Sequence, residues 1–210
     1  FLLLLVGSIN NINLSNLQFK EVKDIKVAGL DNQDNQILLK EIKDLNLGNI
    51  YLINKKEIIN QINSNSLVEK YNIFKRYPSS LEVNIEKTKF LAKINYESKI
   101  FIVGSNGKLS KKDYFDNQLP YIFGKPNIED FLNFKKIIDQ SKFSYEEIKN
   151  LYFFSSKRWD IELNDNKIIK LPNNNVKESL DFAYEFLYNS ELKDINIIDV
   201  RIKNQIILND

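Results

Sequence analysis

The segment Leu81-Glu82-Val83-Asn84-Ile85-Glu86 alternates apolar and polar residues without a break. Successive side chains of a strand point to opposite faces, so this stretch reads as a strand with one wet face and one buried face. Tyr77-Pro78-Ser79-Ser80 makes a turn just before it, and residues 68–76 are extended in character. Upstream, Leu38, Ile42 and Leu45 recur at i, i+4 and i+7, and Gly48 sits where such a helix would stop. Asn54-Lys55-Lys56-Glu57 has the spacing of a capping box, and Ile58, Ile59 and Ile62 supply the apolar face of the helix it starts. Ile25 and Val27 alternate with Asp24 and Lys26 ahead of Gly29, a first strand closed by a turn. Residues 20–88 therefore read β-α-α-β-β.

Beyond residue 88 strands dominate. Residues 90–94 and 99–103 are apolar runs separated by Asn95-Tyr96-Glu97-Ser98 and followed by the turn Gly104-Ser105-Asn106-Gly107, as in a meander. Pro120, Gly124 and Pro126 punctuate the middle. Asn127 is placed to cap a helix bearing Ile128, Phe131, Leu132 and Ile138, and Ser144-Tyr145-Glu146-Glu147 starts a shorter one. Strands return at residues 151–154, 159–163 and 168–171. Asn175 and Glu178 bracket another capping box, ahead of a helix with Val176, Leu180, Ala183 and Leu187 on one face. The fold class is α+β. Residues 197–208 close the chain as two short strands joined by Lys203-Asn204, and a strand that finishes a chain tends to lie on a sheet edge, where unpaired backbone groups accept a partner's strand.

Function classes fall away quickly. Thirty basic against 28 acidic residues leave a net charge of +2, too balanced for the positive field that nucleic-acid binding relies on. With neither His nor Cys, the usual zinc ligands, thiol nucleophiles and neutral-pH ring bases are missing. No cofactor is expected. Gly104-Ser105-Asn106-Gly107-Lys108 fails as a phosphate loop, which needs four residues between its glycines and a Ser or Thr after the Lys. Ser105-x-x-Lys108 and Ser190-x-x-Lys193 have Ser-Lys spacing but poor settings, and Glu146 and Glu147 point about 100° apart on a helix. Asn13-Leu14-Ser15 fits a glycosylation sequon. The opening residues 1–6, Phe1-Leu2-Leu3-Leu4-Leu5-Val6, are too few to cross a bilayer, which takes about 20; they read equally as the end of a trimmed transmembrane helix, the tail of a signal peptide, or a short buried element.

Taken in order, these pieces resemble the FtsQ/DivIB family of bacterial cell-division proteins. In the first part the resemblance lies in Val22-Lys23-Asp24-Ile25-Lys26-Val27-Ala28-Gly29, the two helices, and Ile73-Phe74-Lys75-Arg76-Tyr77-Pro78 feeding the alternating strand. In the second it lies in Val103-Gly104-Ser105-Asn106-Gly107-Lys108-Leu109, in Arg158-Trp159-Asp160-Ile161-Glu162-Leu163 with the hairpin that follows, and in Ile198-Asp199-Val200-Arg201. Lys89 and Ile202 depart from it, where a proline and an aromatic residue are common.

The resemblance implies an end of a transmembrane anchor with a polar tether over residues 1–18, a POTRA domain over 19–88, and a β domain over 89–210 with a mostly antiparallel sheet, packed helices and a C-terminal edge strand. It implies a non-enzymatic scaffold of the divisome, single-pass in the cytoplasmic membrane with its bulk in the periplasm at the division septum. Its partners would be FtsB and FtsL-like bitopic proteins, with other divisome proteins on the POTRA domain, and its output control of septal peptidoglycan synthesis. FtsB would bind by strand addition at Arg201, Ile202, Asn204, Gln205, Ile206, Ile207 and Leu208, with Lys157 and Arg158 meeting an acidic residue. Two rivals remain: a POTRA protein of outer-membrane assembly or secretion, and an envelope hydrolase using carboxylates or Ser-Lys.

Overall fold

The computed structural model describes residues 21–111, 119–189 and 195–209. The chain divides into two compact units, one ending at Lys87 and the other beginning at Thr88. In the first, strand β1 (Asp24–Ala28) is followed by helices α1 (Asn32–Lys43) and α2 (Lys55–Ser64) and strands β2 (Val68–Arg76) and β3 (Ser80–Lys87). The sheet order is β1-β3-β2, with β1 parallel and β2 antiparallel to the central strand. Val83 stands level with Val27 and Ile73. Alternation is what makes this work: Leu81, Val83 and Ile85 are buried, as are Leu38 and Ile42 of α1 and Ile58 and Ile62 of α2.

Helix α1 ends at Lys43, short of Gly48. Its last turn tightens, with Leu45 N–H donating to the Ile42 carbonyl and Asn46 N–H to that of Lys43, and Asn46 then takes φ 48. Asparagine tolerates the left-handed region well enough to end the helix before the glycine is reached. At α2 the box is modified: Asn54 Oδ1 accepts the Lys56 N–H at 3.1 Å, while the Glu57 carboxylate takes the Asn54 side-chain amide rather than a backbone N–H.

The second unit comprises β4 (Phe90–Tyr96), β5 (Lys99–Gly104), β6 (Leu109–Ser110), β7 (Tyr121–Phe123), α3 (Ile128–Asp139), a 3₁₀ turn at Tyr145–Glu147, β8 (Ile148–Phe153), β9 (Trp159–Leu163), β10 (Ile168–Lys170), α4 (Val176–Asn189), β11 (Ile197–Asp199) and β12 (Ile207–Asn209). Among the described residues, nine strands form one mixed sheet in the order β12-β11-β10-β9-β8-β7-β4-β5-β6. Asn95 and Tyr96 extend β4, so the hairpin turn is only Glu97 (φ 49) and Ser98 (φ 61), both left-handed as a two-residue hairpin loop matched to strand twist requires. Asn127 caps α3, its Oδ1 accepting the Asp130 N–H at 2.7 Å. Asn175 takes φ 56, outside the extended conformation of an N-cap, and its carbonyl accepts the Ser179 N–H.

Strand β7 is the element that the pattern did not foretell. It lies inside the sheet, parallel to both β4 and β8. Ile94, Ile122, Leu151, Ile161, Ile169 and Ile198 stand in one register row, all buried, and meet Phe131, Phe134 and Ile138 of α3 and Leu180 and Ala183 of α4. Trp159 belongs to this core, stacked on Phe134 at 4.7 Å. The other face of the sheet carries Tyr121, Phe123, Tyr152, Asp160, Lys170 and Asp199.

Candidate partner-binding edge

The last described strand is the last strand of the sheet. Strand β12 pairs antiparallel with β11, Ile198 opposite Leu208 and Asp199 opposite Ile207, and β12 has no neighbour on its far side among the described strands. It is shorter than the tail's apolar pattern suggests. The connection runs from Val200 to Ile206 instead of being Lys203-Asn204 alone, because Val200 N–H still bonds to the Lys170 carbonyl beside β10 and a turn then closes at Asn204, φ 59. In that turn Gln205 N–H donates to the Ile202 carbonyl at 3.1 Å. Gln205 is thus not a ladder residue, and its N–H is already committed.

Pairing partners on neighbouring strands share a face, so Ile207 lies with Asp199 on the face away from the helices and Leu208 lies with Ile198 on the helix side. Both remain exposed, Ile207 at 50% and Leu208 at 36%. Ile206 is half-buried against the core. Arg201, Ile202 and Asn204 are exposed, and a cleft of about 520 Å³ separates Arg201, Ile202 and Asn204 from Asn173, Glu178 and Phe182.

Strand pairing gathers charge at this end of the sheet. Asp160, Lys170, Asp199 and Ile207 form one row across β9, β10, β11 and β12. Arg201 grips Asp199 from two residues away, Nε donating to the carboxylate at 2.8 and 2.9 Å. Arg158 does the same to Asp160 at 3.2 Å and lies over the Phe154 ring. The hydrogen bond from Arg201 holds the Asp199 carboxyl below the usual carboxylate range. Burial pushes Asp160 the other way, against the Leu171 N–H and Arg158. Lys157 is separated from its neighbour: at φ 62 in the β8–β9 turn it lines a second cleft with Trp159, Phe134 and Val176 on the helix side.

Residues 20–87 match the model of the POTRA domain, FtsQ-type. The chain is 22% identical over 202 residues, 90% of its length and 72% of the relative's, to the cell division protein FtsQ of Rickettsia bellii (strain RML369-C). It is 27% identical over 106 residues to the cell division protein DivIB of Staphylococcus aureus (strain NCTC 8325 / PS 47), covering 50% of this chain and 24% of that one. These matches support the FtsQ/DivIB family for this chain, with the POTRA domain of FtsQ type over residues 20–87. A solved structure of the major extracytoplasmic domain of the trans isomer of DivIB from Geobacillus stearothermophilus is also similar, at 12% identity and a TM-score of 0.36, covering 50% of this chain and 98% of that chain.

Sequence reasoning missed Asp160 as the holder of Arg158, and Asn173, Glu178 and Phe182 as the far wall of the cleft beside the tail. The first had a signal: Arg158-x-Asp160 repeats, in reverse, the i, i+2 same-face spacing of Asp199-x-Arg201. The cleft wall had none, since only the packing of α4 brings it there. The groups considered for chemistry have structural duties. Ser105 Oγ accepts the Lys89 N–H at 3.0 Å and lies 3.1 Å from Thr88 Oγ1, tying the β5–β6 turn. Glu147 accepts the Ser144 N–H and the Tyr188 hydroxyl. Ser190, Lys193, Asn13, Ser15 and residues 1–6 lie outside the described residues. Among those described, no cluster of His, Cys, Asp or Glu is arranged to hold a metal, and no helix is long and apolar enough to cross a membrane.

Proposed function

We propose that this chain acts in bacterial cell division as a non-enzymatic scaffold, holding FtsB- and FtsL-type partners outside the cytoplasmic membrane and so helping to control septal peptidoglycan synthesis. In this reading residues 1–6 end a membrane anchor, residues 7–18 tether it, the POTRA unit meets other divisome proteins, and the protein works at the septum. The observation that supports partner capture is β12: a three-residue strand at the sheet's border, exposed on both faces, whose outer backbone groups suit the addition of a strand. Backbone bonding supplies affinity there, and Ile207 and Leu208 present side chains to opposite sides of any added strand. Arg201 and Arg158, each already paired with an acid, offer partly exposed cations for an acidic residue of the partner.

Proline at positions 207 and 208 tests this. Consecutive N–H groups of a strand point to opposite edges, so one substitution deletes an outward donor and the other a bond to β11. Calorimetry with the periplasmic segment of an FtsB-type partner should show one variant that loses binding while its thermal transition is unchanged. The other should lose stability as well. Full binding by both variants would remove β12 as the docking edge.

A further inference from the structure

Three segments meet at one end of the first unit. Val22 N–H donates to the Gly48 carbonyl at 2.8 Å, Glu21 bridges to Asn49, and Lys23 N–H donates to the Ser79 carbonyl at 2.9 Å. The arriving chain, the loop between α1 and α2, and the β2–β3 turn are thereby tied together. From this end protrude Tyr51, Leu52 and Tyr77, exposed at 51%, 82% and 59%, with the two rings stacked at 4.8 Å. No large apolar side chain among the described residues is more exposed than Leu52. Its setting gives folding little reward, since apolar area left in water contributes nothing to the core.

The charges beside this cluster are equally hard to explain by folding. Lys55 and Lys56 occupy the first turn of α2, where the helix dipole disfavours cations. Lys75 lies with its Nζ 3.5 Å from the Tyr51 carbonyl. Glu57 is engaged by the Asn54 amide and Glu82 by Arg76, and Glu21 and Asp24 lie in the arriving segment. Tyrosines beside a protruding leucine, with lysines alongside, have the composition that settles at a bilayer's headgroup level: ring and aliphatic carbon enter, phenol and ammonium stay with water and phosphate.

We infer that this end of the POTRA unit is a membrane-contacting tip, Leu52 entering an anionic phospholipid surface beside the stacked pair of Tyr51 and Tyr77 while Lys55, Lys56 and Lys75 meet the phosphates. Residues 7–20, fourteen in number, separate the apolar run 1–6 from Glu21, and fully extended they span roughly 50 Å. A tip beside Glu21 is therefore within reach of any bilayer that holds residues 1–6. That placement rests on the anchored reading proposed above; the chemistry of the tip does not.

The test is flotation of the whole chain with vesicles of phosphatidylcholine alone and of phosphatidylcholine mixed with phosphatidylglycerol. Leu52→Ser should lower partitioning on the mixed vesicles about threefold or more. Lys55→Glu with Lys56→Glu should lower it about tenfold there and leave neutral vesicles unaffected. Each comparison is repeated with Leu3→Asp and Leu4→Asp in the background. If those two substitutions alone change nothing, the anchored reading fails while the tip still stands on the Leu52 effect. Equal partitioning of Leu52→Ser and its parent in both backgrounds overturns the tip, as does a Leu52→Ser effect confined to self-association by light scattering. Far-UV circular dichroism confirms that each variant is folded, which is undemanding at side chains this exposed.

Discussion

Strands β3 and β7 each lie between two neighbours, yet they are made in different ways. Strand β3 brings eight residues and a complete alternation, and its three buried side chains alone dictate which face turns inward. Strand β7 brings three residues between Pro120 and Gly124, of which only Ile122 is buried. Its pairing is decided by β4 and β8, which supply the register on both sides. A strand flanked on both edges needs little pattern of its own, because neighbours provide the ladder and the row of core residues accepts a single side chain.

The largest expected effects come from a glycine beside each strand. Gly29 has φ 114, and a Cβ on it would stand 1.8 Å from the Ile85 carbonyl oxygen of β3. Gly124, directly after β7, has φ 97, and its Cβ would stand 2.2 Å from the Phe153 carbonyl oxygen of β8. Alanine at either position should cost about 3 kcal/mol or more, since both backbone strain and a clash with main chain have to be relieved. The chain's one tryptophan, Trp159, lies in the second unit, so Gly124→Ala should shift its fluorescence transition in denaturant. Gly29→Ala should instead shift the far-UV circular dichroism. A Gly124→Ala protein as stable as its parent would mean that β7 is not pinned against β8.

Core truncation sharpens the same contrast. Ile122→Ala should cost about 2–5 kcal/mol and Val83→Ala somewhat less, in proportion to the carbon removed. A cost below about 1 kcal/mol for Ile122→Ala would make β7 peripheral in energy despite its central place.

Smaller effects belong to the two acids on the charged row. Asp199→Asn should cost about 1 kcal/mol near neutral pH, modest because Arg201 is substantially exposed. Since the folded-state pKa of Asp199 is depressed, its contribution is present above the unfolded value and should vanish as the pH falls through the folded one. Asp160 has the opposite sign: its raised pKa means that the ionised form opposes folding, so the wild type should gain on Asp160→Asn as the pH falls through that value. Urea midpoints of the three proteins across the acid range would show the two differences moving in opposite directions. Parallel movement would refute the assignment.

The smallest change is Tyr152→Phe. Burial and the hydrogen bond to Glu162 at 2.6 Å push the Tyr152 phenol up to about 12. Removing it should cost about 0.5 kcal/mol and delete this ring's share of the ultraviolet titration near pH 12.

Several segments that carry their own signal form as the pattern predicts, although α1 stops before Gly48 and Asn175 does not take the N-cap conformation. The caps at Asn127 and Ser144, the capped start of α2 and the strand β3 are specified by residues within one or two turns of each other, and each forms where its pattern predicts. The tail was partly legible. Its place beside β11 followed from apolar residues at the end of the chain, but the length of β12 did not, because Asn204 and the Gln205 N–H spend their bonding in a turn that the apolar run conceals. Of the proposed partner-facing residues, Arg158 and Arg201 come to a shared face through strand pairing, while Lys157, adjacent in sequence to Arg158, lines the cleft on the other side.

By itself the sequence determined the order of helices and strands in the first unit, the burial of Leu81, Val83 and Ile85, and a resemblance to the FtsQ/DivIB family. These depend on periodicity and on side chains reaching their own backbone, both of which are local. Only the tertiary structure decided that β7 is a strand, that β12 borders the sheet of nine described strands, that Asp160 and Asp199 share a row, and that Leu52 stands in the open beside a stacked pair of tyrosines. Those outcomes depend on which distant segments become neighbours, and the free energy that selects them lies in contacts between residues far apart in the chain.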